Sequence, residues 1–93
     1  MQTVTIQIGN SDDKLSQRRW ADFIFNVDQL VGQYCADIHF HGFSPGDTAW
    51  QNACWVAQIR TESVKKLETD LTVCRKNYDQ ESIAFTIGNT TFI

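Results

Sequence analysis

The chain opens on an alternation. In Thr3-Val4-Thr5-Ile6-Gln7-Ile8 every second residue is a branched hydrocarbon, the period of a half-buried strand. Val4, Ile6 and Ile8 are expected on the core side, with Thr3, Thr5 and Gln7 on the other. Gly9-Asn10 ends that strand, and a polar run leads to Ser16, a good helix N-cap. Leu15 before the cap and Trp20 after it form the pattern of a hydrophobic staple. From Trp20 the apolar residues Phe23, Ile24, Val27, Leu30 and Val31 recur at helical spacing, predicting a helix that ends near Gly32. Phe25 falls outside this stripe, beside the small Ala21 and Gly32, and is expected to be an exposed contact residue.

A second strand is expected from about Ala36 to Phe43. The turn Ser44-Pro45-Gly46-Asp47 follows, and a third strand covers Asn52 to Ile59. Simple alternation puts Ala36, Ile38 and Phe40 on the core with Trp55, Ala57 and Ile59. It implies Phe40 opposite Trp55, His41 opposite Cys54, and Phe43 opposite Asn52. The outer face would then carry Asp37, His39, His41, Phe43, Asn52, Cys54, Val56 and Gln58. A second helix is signalled by a cap at Thr61 or Ser63 and the stripe Val64, Leu67, Leu71, Cys74 and Tyr78. Within it Glu62 and Lys66 have the spacing of an i,i+4 pair. Ile83 to Ile87 alternates again, and Gly88-Asn89 is a hairpin signal that predicts a short extra C-terminal strand, Thr90 to Ile93.

The order β-α-β-β-α-β is that of an α+β, ferredoxin-like βαββαβ sandwich. Residues 1–93 form a single domain whose antiparallel sheet carries two helices on one face. Such a half-covered sheet leads us to expect a homo-oligomer, a dimer or larger.

Charge removes one class of partner. A net charge of −3 with no basic stripe argues against binding to nucleic-acid backbone. The first strand offers only Thr3, Thr5 and Gln7 on its outer face, so there is no stacking platform for RNA. No apolar run approaches the ~18 residues of a membrane span, and Met1 opens onto no signal-peptide pattern. Three widely spaced cysteines, Cys35, Cys54 and Cys74, fit neither a disulfide framework nor a CxxC zinc site, and point to a reducing cytoplasm.

Chemistry concentrates at one end. In this topology the first βα loop, the β2–β3 turn and the loop before the last strand share an end of the sheet. Asn10, Ser11, Asp12, Asp13 and Lys14 gather there with Asp47, Trp50 and Asn52, supplying donors, carboxylates, a lysine and an aromatic for a small polar ligand. Ordinary turn formation explains many of the same residue types. Asp12, Asp13 and Asp47 have the makings of a Mg²⁺ site, but adjacent aspartates more commonly serve a helix N-terminus, so no metal or cofactor is expected. His39 and His41 with Cys54 resemble a zinc donor set or, as a Cys54–His41 pair, a nucleophilic dyad. Neither HExxH nor an orienting residue accompanies them.

Gly9-Asn10-Ser11-Asp12-Asp13-Lys14-Leu15 with Trp20, and Phe43-Ser44 with Trp50-Gln51-Asn52-Ala53-Cys54, resemble patterns in short uncharacterised phage-encoded accessory proteins. The likeness spans most of the chain and brings no catalytic residue with it. It implies a counter-defence role in the cytoplasm of a host cell. The first expectation is a non-enzymatic module that sequesters a nucleotide-like ligand at the loop end. An alternative is a protein-contact inhibitor of a host defence complex, using Phe25, His39, His41 and Phe43. A third is a small phosphodiester hydrolase built on His39 and His41.

Overall fold

Val4, Ile6 and Ile8 lie buried on an interior strand of the sheet, as their alternation requires. The architecture comes from a computed structural model that describes residues 1–10, 13–46 and 50–93. Its elements are β1 (Gln2–Gly9), α1 (Gln17–Tyr34), β2 (Cys35–Phe43), β3 (Asn52–Ile59), α2 (Val64–Asn77, entered through one 3-10 turn) and β4 (Ala84–Gly88). The strand order is β2-β3-β1-β4 with every pairing antiparallel, a ferredoxin-like arrangement.

Both ends of α1 follow from local chemistry. The Ser16 side chain accepts from the Arg19 backbone N–H at 3.2 Å, and Leu15 and Trp20 close the staple in the core. The helix runs past Gly32 to Tyr34 and passes without a loop into β2. Phe23, Val27 and Val31 of α1 meet Leu67, Leu71 and Cys74 of α2 over Trp55, Ala57 and Ile59 of β3. Among the described residues no helix is long and apolar enough to cross a membrane.

β2 departs from simple alternation. Its register against β3 shifts between Cys35 and Asp37, and again between Ile38 and Phe40. Each β-bulge inserts one residue, so beyond the second one the faces exchange. Phe40 pairs with Val56 instead of Trp55, His41 with Trp55 instead of Cys54, and Phe43 with Ala53 instead of Asn52. His41 and Phe43 therefore share the helix-covered face with Trp55 and Ala53, while Phe40 lies on the open face. As β2 is an edge strand, Ile38 and Phe40 stay 47% and 54% exposed and are not core residues. The Phe40 ring lies over Gly42, where a Cβ would meet its Cζ at 2.6 Å.

Two smaller expectations change. Glu62 and Lys66 are replaced as an ion pair by Lys65 and Glu68, 3.8 Å apart. Residues 89–93 form no strand, because Gly88 completes β4 and the tail leaves the sheet edge. The tail crosses the open face instead, where Thr90 hydrogen-bonds the Thr3 hydroxyl and Phe92 meets the His39 ring at 6.1 Å.

The two helices are clipped together by Tyr34, whose hydroxyl donates to Asp70. That bond, followed by burial and the Asp70 charge, raises the Tyr34 pKa above its ordinary 10.0. A raised pKa means that the folded state holds the proton more tightly. The clip's contribution is thus complete below pH 10 and is lost as pH rises through the folded value. Ultraviolet titration is expected to show one tyrosine ionising late, and Tyr34→Phe is expected to remove that phase.

Candidate functional site

Where β1 runs out, its neighbour β3 begins, and two amide side chains meet across that junction. Gly9 pairs with Asn52, which sets Asn10 opposite Gln51, and the Asn10 N–H donates to the Gln51 carbonyl at 2.9 Å. The Asn10 side chain turns inward. Its Oδ1 accepts from Leu15 N–H at 2.9 Å, and its Nδ2 donates to the Leu15 carbonyl and to Gln51 Oε1, each at 3.0 Å. Gln51 and Gln17 form a reciprocal amide pair at 2.7 and 2.9 Å, and Gln51 Nε2 also reaches the Gly46 carbonyl at 3.4 Å.

Asn10 is 1% exposed and Gln51 4%. Buried amides cost several kcal/mol when unpaired, roughly 1–3 by mutational measure, so full pairing is what makes them tolerable. Among the described residues, no buried side-chain nitrogen or oxygen lacks a partner. The network ties Asn10, Leu15, Gln17, Gly46 and Gln51 together across the end of β1, the entry to α1 and the start of β3.

The third loop is attached from outside. Lys14 Nζ donates to the Asp79 carbonyl at 3.1 Å, and Arg19 donates to the Asn77 carbonyl at 3.0 Å. Asp13 and Asp79 have φ of 55° and 54°, and among the described non-glycine residues they alone adopt positive φ. Aspartate is one of the residues that tolerates this region best, yet both examples sit at the same end of the molecule. The structure thus brings the three predicted loops together.

The residues nominated from sequence divide into two groups. Asn10 is structural, its amide engaged within the chain. Asp13 and Lys14 form an exposed lip, Trp50 stands 69% exposed, and the exposed Asn52 donates from Nδ2 to the Trp50 carbonyl at 3.1 Å. Ser11, Asp12 and Asp47 lie outside the described residues. Gln17 and Gln51 were passed over by sequence reading. The β1–β3 register contained the signal for Gln51, since it places that residue across from Asn10 at the ends of two paired strands.

The histidines do not converge. His41 stacks on Trp55 at 4.6 Å and 11°, with Nδ1 3.5 Å from Asp28 Oδ1, and the same oxygen accepts from Trp55 Nε1 at 3.0 Å. His39 lies against the tail residue Phe92, and Cys54 pairs with Gly42 on the open face. Among the described residues no three His, Cys, Asp or Glu side chains are grouped to hold a metal ion. Burial pushes the thiol pKa of Cys35 and Cys74 up from its ordinary value.

A groove of about 530 Å³ opens between α1 and α2 beside the loop end. Tyr78 forms one wall, stacked on Phe23 at 4.9 Å and covered by the Arg19 guanidinium at 5.0 Å. Asn26, Gln29 and Asn77 supply amides, and Asp22 and Asp70 offset the single positive charge.

Removing one partner of the amide network leaves the others buried and unpaired. Asn10→Ala is therefore expected to lower stability by about 2–4 kcal/mol in urea denaturation, whereas Asp13→Ala costs about 1 kcal/mol, the strain of an alanine at a φ of 55°. No protein-family model matches the chain, and neither a curated protein nor a solved structure matches it.

Proposed function

We propose that the chain is a non-enzymatic binding module that takes a small polar, nucleotide-like ligand at the loop end. The observation that carries this reading is Trp50, an indole 69% exposed just before β3 and next in sequence to Gln51, whose buried amide is bonded to Asn10 and Gln17. A flat base stacks on an exposed indole without reorganising the protein, and base–aromatic stacking contributes about 1–3 kcal/mol. The lip and the nearby Arg19 and Tyr78 supply polar contacts for the rest of such a ligand. The resemblance to phage accessory proteins gives the binding a purpose: removing a nucleotide signal on which host immunity depends.

A second reading is supported by a different observation. Phe25 on the outer side of α1 and Phe43 on β2 are both exposed, and the Asp28–His41 contact holds that helix against that strand. This edge suits contact with a host protein, the inhibitor alternative.

Calorimetry against mono-, di- and cyclic nucleotides is expected to give heat with the wild type. Trp50→Ala should weaken binding by about 5–100-fold, as loss of stacking predicts. Absence of heat with every nucleotide contradicts the first reading. The second predicts a host protein that co-purifies with the wild type and with Trp50→Ala, and is lost with Phe25→Ala/Phe43→Ala. Retention by the double variant contradicts it.

A further inference from the structure

The two edges of the sheet are not equivalent. β2 is broken by two bulges and carries Asp37, devices that discourage pairing with another strand. β4 has neither. Its five residues, Ala84-Phe85-Thr86-Ile87-Gly88, pair in unbroken register with β1 and include no charge and no proline. Among the described residues β1 is the sole sheet partner of β4, and the tail that follows turns onto the open face instead of covering the outer edge. A regular, uncharged, uncovered edge is a template for another strand.

We infer that β4 is a dimerisation edge, joining antiparallel to β4 of a second copy about a two-fold axis through Thr86. The sequence is self-complementary in that register. Phe85 falls opposite Ile87 of the second copy on the helix-covered face, Thr86 opposite Thr86 on the open face, and Ala84 opposite Gly88. Every pair matches in polarity, and the result is one continuous eight-stranded sheet.

The charge pattern along α2 fits a second copy. Beside β4 lies a groove of about 490 Å³, floored by Leu71, Ile83 and Phe85, rimmed on α2 by Glu68, Thr72 and Arg75, and bordered by Glu81 and Ser82 from the loop before β4. Glu68 and Arg75 are two helical turns apart on one stripe, with Thr72 between them. The same two-fold axis runs α2 antiparallel to its copy, so Glu68 of each chain faces Arg75 of the other. Such a stripe, negative at one end and positive at the other, is complementary to itself. Among the described residues Glu68 meets the exposed Lys65 at 3.8 Å, and Arg75 Nη1 donates to the Gln80 carbonyl at 2.8 Å, contacts compatible with the pairing.

Sedimentation over a concentration series tests the assignment. The wild type is expected to be a dimer. Thr86→Lys sets two ammonium groups against each other at the axis and is expected to raise the dimer dissociation constant about tenfold or more, with an unchanged circular-dichroism spectrum. Glu68→Arg, on the exposed surface of α2, is expected to weaken the dimer at low salt and less so at high salt. A wild-type chain that stays monomeric throughout overturns the inference, as does a dimer indifferent to both substitutions.

Discussion

Gln51 Oε1 accepts hydrogen bonds from two side chains at once, the buried Asn10 Nδ2 and the more exposed Gln17 Nε2. In that setting each amide depends on the others, since removing any one strands a buried donor or acceptor. The entry into α1 hangs on the same contacts: Asn10 holds both the N–H and the C=O of Leu15, next to the cap at Ser16. The end of β1, the entry into α1 and the start of β3 are thus set together. A binding surface made of loops gains specificity when the loops do not move, because less ordering remains to be done when the ligand arrives.

Legibility followed burial. The periods of β1, β3 and both helices could be read because each presents one continuous apolar face to one core. β2 could not be read in the same way. It packs on one side only and at an edge, where weak coupling to the core allowed bulges that alternation does not encode. His41 is the sharpest instance: its position in the sequence matches an open-face residue, and its observed place is on Trp55 beside Asp28. The tail failed for a different reason. Gly88-Asn89 suits a tight hairpin, but Thr90 and Phe92 find partners on the open face, a tertiary choice invisible to a local turn signal.

The loop end was legible as a place and not as a mechanism. Topology alone brought its three loops together, yet polarity could not separate Asn10, which faces inward, from Asp13 and Lys14, which face out. That division matters for function. The inward amides of Asn10 and Gln51 are engaged within the chain, whereas Asp13, Lys14 and Trp50 are exposed. It also separates this end of the molecule from the β4 edge, where the chain's regularity, and not its polarity, is the distinguishing feature.

Buried, mutually bonded amides hold the ends of β1 and β3 together with the entry to α1. Side-chain hydrogen exchange followed by NMR tests it directly. The Asn10 and Gln51 side-chain amide protons are expected to exchange as slowly as backbone N–H groups of the interior strands β1 and β3. Exchange as fast as that of the exposed Asn52 side chain would contradict it.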